Sequence, residues 1–98
     1  MSEQEKVEQV LAGIQRPNFV AEIRHTLDLD SEGEPAVRVW VVVQDDTIRQ
    51  AEFDEPLDRL RAAIVDALRK AGIQSWPFVH LREQAEQEEL VRAGYAFA

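Results

Sequence analysis

FVAEIRHTLDLDSEGEPAVRVWVVVQ, residues 19–44, is the stretch on which the fold of this chain turns. Phe19, Ala21, Ile23, His25, Leu27 and Leu29 take the odd positions, while Glu22, Arg24, Thr26, Asp28 and Asp30 take the even ones. A period of two belongs to a strand with one buried face and one wet face. Ser31, Glu32, Gly33, Glu34 and Pro35 interrupt it with turn chemistry. Alternation then resumes, with Val37, Val39, Val41 and Val43 on one side and Arg38, Trp40, Val42 and Gln44 on the other. Pattern, turn and the run of β-branched residues agree on a β-hairpin.

Upstream, Val7, Val10, Leu11 and Ile14 recur at helical spacing among charged residues, which predicts an amphipathic helix over residues 3–14. Gly13 and Pro17 bracket its end. So short a helix must pack on something, and the sheet is the available surface. Downstream, Asp45, Asp46 and Thr47 form an acidic corner. Ile48, Ala51 and Phe53 read either as a loop tucked on the core or as a short edge strand.

Asp54, Glu55 and Pro56 are helix-start residues. Leu57, Leu60, Ile64, Ala67, Leu68 and Ala71 then make one apolar stripe, predicting a helix with its body at residues 58–71. Arg69 and Lys70 suit its carbonyl end, and Gly72 stands where a left-handed residue closes a helix. Residues 76–82 read as a third strand, with Pro77 favouring an edge or the strand start.

The order α-β-β-α-β predicts an α+β fold for residues 1–98, a single small domain. Its expected form is a two-layer sandwich: a three-stranded antiparallel sheet of order 2-1-3 with the helices on one face. Residues 83–98 read as a polar helical or flexible tail, with a C-terminal helix around Leu90 and Val91 and an apolar tip at Tyr95 and Phe97. In topology alone, residues 3–82 resemble the small KH-type RNA-binding folds and half of a ferredoxin-like fold. The KH likeness implies a Gly-x-x-Gly clamp on a single strand. Here the corresponding helix end, Lys70-Ala71-Gly72-Ile73-Gln74-Ser75, has one glycine, which a helix cap already explains.

Nineteen acidic against eleven basic residues give a net charge of −8. That field disfavours nucleic acid and anionic membrane. With no cysteine, thiolate chemistry and Cys-based zinc sites are excluded. The longest apolar run is too short to span a bilayer, and the first residues show no leader pattern, so the expected location is cytoplasmic. His25 and His80 have no acidic neighbours at metal-ligand spacing. The pairs Asp28/Asp30, Asp45/Asp46 and Asp54/Glu55 are explained by a wet strand face, a turn and a helix cap. No nucleotide loop or nucleophile elbow is present. The sequence therefore predicts no enzyme, no cofactor, no metal and no catalytic residue.

What stands out is aromatic content on surfaces that should be wet. If the odd-numbered valines meet the helices, Trp40 and Val42 face away beside Arg38. On the third strand, either Trp76 and Phe78 or Val79 and Leu81 join them. Tryptophan beside arginine is the composition of interface centres. Arg38, Trp40, Val42, Trp76 and Phe78 are thus the candidate interaction residues, unless Leu90, Val91, Tyr95 and Phe97 fold back over them. The expected role is a small acidic protein–protein interaction or accessory protein, homodimeric or inhibitor- or antitoxin-like, with itself or a basic protein as partner. The competing reading is a KH-like RNA-associated protein, for which Arg59, Arg61, Arg69, Lys70 and Arg82 would have to form a positive strip.

Overall fold

The structure is a computed structural model that describes residues 2–94; the apolar tip at Tyr95 and Phe97 lies outside the described residues. The elements run α1 (Glu3–Ala12), β1 (Val20–Leu29), β2 (Pro35–Val43), a single 3-10 turn (Ala51–Phe53), α2 (Asp54–Lys70), β3 (Trp76–Glu83) and α3 (Gln84–Arg92). The α+β fold is as expected, but the sheet order is not. The sheet is mixed and runs β1-β2-β3, with β1 antiparallel and β2 parallel to its neighbour β3. The predicted antiparallel 2-1-3 arrangement is therefore corrected.

The reason lies in β2. Ala36, Val37, Val39, Val41, Val42 and Val43 are all buried, so this strand is apolar on both faces. Such a strand belongs in the middle, where both faces are covered. β1, which alternates between the two faces from Glu22 to Leu29, occupies an edge.

One face of the sheet carries Val37, Val39, Val41 and Val43 with Ile23, Leu27, Val79 and Leu81. Val7 and Leu11 of α1 and Leu57, Leu60, Ile64 and Leu68 of α2 complete that core. On β3 it is Val79 and Leu81 that meet the helices, sending Phe78 and His80 to the other face. β1 changes phase near its start: Val20 pairs with Val43, Glu22 with Val42, and Ala21 is the bulged residue between them. Val20 is therefore buried and Ala21 exposed, the reverse of unbroken alternation.

The ends of the elements follow local chemistry. Ser2 caps α1, its hydroxyl accepting from the Glu5 amide at 3.2 Å. α2 closes with Gly72 at φ 77°, whose amide donates to Arg69 while the Ile73 amide donates to Leu68. That pair of hydrogen bonds is the Schellman closure that Gly72 predicts. Phe53 packs on Phe19 with ring centroids 5.0 Å apart, while Ile48 and Ala51 are exposed, so of the three apolar residues after the acidic corner only Phe53 is tucked in, on a 3-10 turn and not an edge strand.

Glu3 ties α1 to the link between α2 and β3. Its carboxylate accepts from the Gln74 amide at 2.8 Å, the Ser75 amide at 3.2 Å and the Ser75 hydroxyl at 2.9 Å. Burial pushes its carboxyl pKa up, but those three bonds, with Lys6 nearby, outweigh it and the net shift is downward. A carboxylate with a lowered folded pKa stabilises the fold above the ordinary glutamate range, and that contribution is lost as pH falls through the folded pKa. Glu3→Ala is expected to cost about 1–2 kcal/mol near neutral pH, the worth of charge-assisted bonds at a partly exposed site. Urea midpoints taken down to acid pH should show the gap between variant and wild type closing. A gap independent of pH would remove the carboxylate from the account.

Candidate interaction surface

The face away from α1 and α2 is built in cross-strand rows. Pairing aligns Asp28, Ala36 and Trp76; then Thr26, Arg38 and Phe78; then Arg24, Trp40 and His80; then Glu22, Val42 and Arg82. Side chains in one row of a sheet are near neighbours, so aromatic and cationic groups are forced together here.

The rings and guanidinium groups interleave. Trp40 stacks on His80 with centroids 5.8 Å apart and planes 28° apart. The Arg82 guanidinium lies 5.2 Å from the Trp40 ring, and that of Arg38 lies 5.9 Å from the Phe78 ring. Both distances suit attraction between a cation and an aromatic face. Trp76, at the start of β3, is 57% exposed and meets Arg69 of α2 at 5.5 Å.

α3 covers one end of this face. Val42 is 1% exposed, and a cleft of about 440 Å³ beside it is lined by Ala21, Arg24, Gln87 and Val91 among others. Arg82 is 8% exposed and donates to the Gln87 side-chain oxygen at 2.8 Å. A remote residue caps this helix: the Asp45 carboxylate accepts from the Ala85 amide at 2.9 Å. Glu83 accepts in turn from the Asp46 amide. The acidic corner after β2 thus anchors α3.

Of the residues singled out in the sequence, Arg38, Trp40 and Phe78 come together in the middle of the face. Trp76 stands at its rim, and Val42 lies beneath α3. Arg24, His80 and Arg82 belong to the same patch, and alternation along β1 and β3 is the signal that finds them. Arg24 is held by Glu22 at 2.7 Å, whereas among the described residues neither Arg38 nor Arg82 has a carboxylate oxygen within 4 Å. Burial lowers the His80 pKa, and the positive Arg38, Arg82 and Arg61 lower it further. The imidazole is therefore held toward its neutral, stacking form.

The other side of the molecule has a different character. On α2, Arg59 faces Glu55 at 3.9 Å and Lys70 meets Asp66 at 2.9 Å, so those cations are neutralised along their own helix. His25 lies half-buried beside α1, its pKa lowered by burial against an opposing pull from Glu8. Among the described residues no three histidine or carboxylate side chains converge on a metal-sized site. No helix there is long and apolar enough to cross a membrane. No known family model, curated protein or solved structure matches the chain.

Proposed function

We propose that this chain is a small interaction protein whose contact surface is the open sheet face centred on Trp40. The observation that carries the reading is the interleaved set Arg38–Phe78, Trp40–His80 and Arg82. It places cations and rings together on one face of a chain with a net charge of −8. Aromatic and arginine side chains held rigidly by their neighbours are the anchors that carry binding energy at interfaces. Arg38, without a carboxylate partner among the described residues, suits a partner presenting carboxylates, while the chain's own surplus of acid lies largely on helices and turns.

Capture from the native cell lysate at low salt tests this, with proteins and nucleic acids both analysed. Trp40→Glu and Arg38→Glu are expected to lower recovery of a protein partner by about tenfold or more, as loss of a central anchor does. Their circular dichroism should match the wild type. Recovery unchanged by both variants would defeat the proposal. A single-stranded nucleic acid recovered by the wild type and lost with both variants would replace it with the RNA-associated reading.

A further inference from the structure

We infer that residues 95–98 turn back over the open face and cover Trp40, so that the chain's own tail competes with the partner for that surface. What the tail regulates rests on the reading above; where it lies does not. α3 follows β3 without a linker and packs on the open face, with Gln87 held by Arg82. Leu90 comes three residues after Gln87 and so shares that sheet-facing side of the helix, where it is half-buried. Val91, the next residue, is 51% exposed at the lip of the cleft beside Val42.

The end of α3 repeats the end of α2. Leu68-Arg69-Lys70-Ala71-Gly72-Ile73 and Leu90-Val91-Arg92-Ala93-Gly94-Tyr95 carry a leucine, a basic residue, alanine, glycine and a large apolar residue at the same spacing. The hydrogen bonds agree as well. Ala71 donates to Ala67 and Gly72 to Arg69, as Ala93 donates to Glu89 and Gly94 to Val91. Both glycines are left-handed, at φ 77° and 88°. At the end of α2 the Ile73 amide then bonds Leu68, and both side chains join the core. This closure brings the residue after the glycine back against the leucine. The same backbone at α3 delivers Tyr95 against Leu90, on the side of the helix that faces Arg82.

From there Trp40 is close. The Arg82 guanidinium lies 5.2 Å from its ring. The cleft walled by Gln87, Val91 and Arg92 of α3 also reaches Arg24, which stands in the same row as Trp40 and His80. Side chains two residues apart fall on one side of an extended chain, so Tyr95 and Phe97 face the sheet together. Their separation, about 7 Å, equals the spacing of successive rows on one sheet face. Trp40 is moreover engaged beyond its contacts with His80 and Arg82, as a covered ring is.

Acrylamide quenching of Trp40 tests the cover without any partner. Trp76→Phe, at an exposed rim position, leaves Trp40 as the single tryptophan. In that background, truncation after Gly94 should raise the quenching constant and shift emission to the red, with unchanged circular dichroism. Tyr95→Ser combined with Phe97→Ser should do the same in a chain of full length. Nuclear Overhauser contacts should join the Tyr95 ring to the Leu90 methyls. Truncation should also raise recovery of the lysate partner by about threefold or more, the gain from freeing a site that is covered most of the time. Quenching that ignores both variants, or an absent Tyr95–Leu90 contact, would overturn the placement whatever the lysate yields. Raised quenching with recovery unchanged or lowered would overturn the competition. No partner captured by either chain would strike the contact reading and the competition with it, while the quenching still decides the cover.

Discussion

Ile64→Ala should destabilise the fold by about 2–5 kcal/mol, the cost of deleting a branched side chain from a packed core. Ile64 is fully buried midway along α2, between Leu60 and Leu68 and facing the valine side of the sheet. The apolar residues around it line two helices and three strands, so closing the void would require several elements to move together. The result is a cavity, not a collapse. Arg61 stands on the exposed side of the same helix. Arg61→Ala should change stability by less than about 0.5 kcal/mol, as surface substitutions do. Urea denaturation of the two variants measures the contrast. Equal midpoints at unchanged slope would refute the placement of the stripe against the valines.

The helices and strands were legible because their signals are local. The stripe from Leu57 to Leu68, the closing Gly72 and the alternation from Ile23 to Val43 each specify an element without reference to the rest. Strand order is a non-local property, and its one sequence signal is easily passed over. Ala36 and Val42 are apolar on the side of β2 that alternation assigns to water, and a strand apolar on both sides is a central strand. With β2 central, the chain leaving α2 pairs with it in parallel on its free side. The phase change at Ala21 was hidden for a different reason. Phe19, Val20 and Ala21 are all apolar, so the pattern there fits either register.

The surface was legible in the same partial way. Alternation alone puts Arg38 and Trp40 opposite the valines. It leaves β3 open, because Trp76-Pro77-Phe78-Val79-His80-Leu81 offers an apolar choice on either face; packing decides for Val79 and Leu81. The cover over Val42 was the least visible part. Residues 84–92 are mostly polar, and the cap that fixes α3 comes from Asp45, some forty residues earlier. An acidic corner reads as a turn until the helix it holds is in view.

Arg82 joins that cover to the patch, and Arg82→Ala should cost about 1–3 kcal/mol although the residue is charged. Its guanidinium donates to buried Gln87 and lies over the Trp40 ring, so truncation removes both contacts at once. It leaves the Gln87 carbonyl oxygen buried without its donor, beside an amide nitrogen that already makes no hydrogen bond among the described residues. Unpaired buried polar groups carry the full loss of their hydration. Gln87→Leu alone strands Arg82 and should also destabilise. In Arg82→Ala combined with Gln87→Leu no orphan remains on either side, so the double variant should lose less than the sum of the singles by about 0.5–2 kcal/mol. Arg82→Lys should recover only part of the loss, because a lysine lacks the planar fork that donates and stacks together. Denaturation midpoints give the cycle, and tryptophan emission should change whenever the cation leaves the Trp40 ring. Additive losses with unchanged emission would mean that α3 is not held to the sheet through this residue.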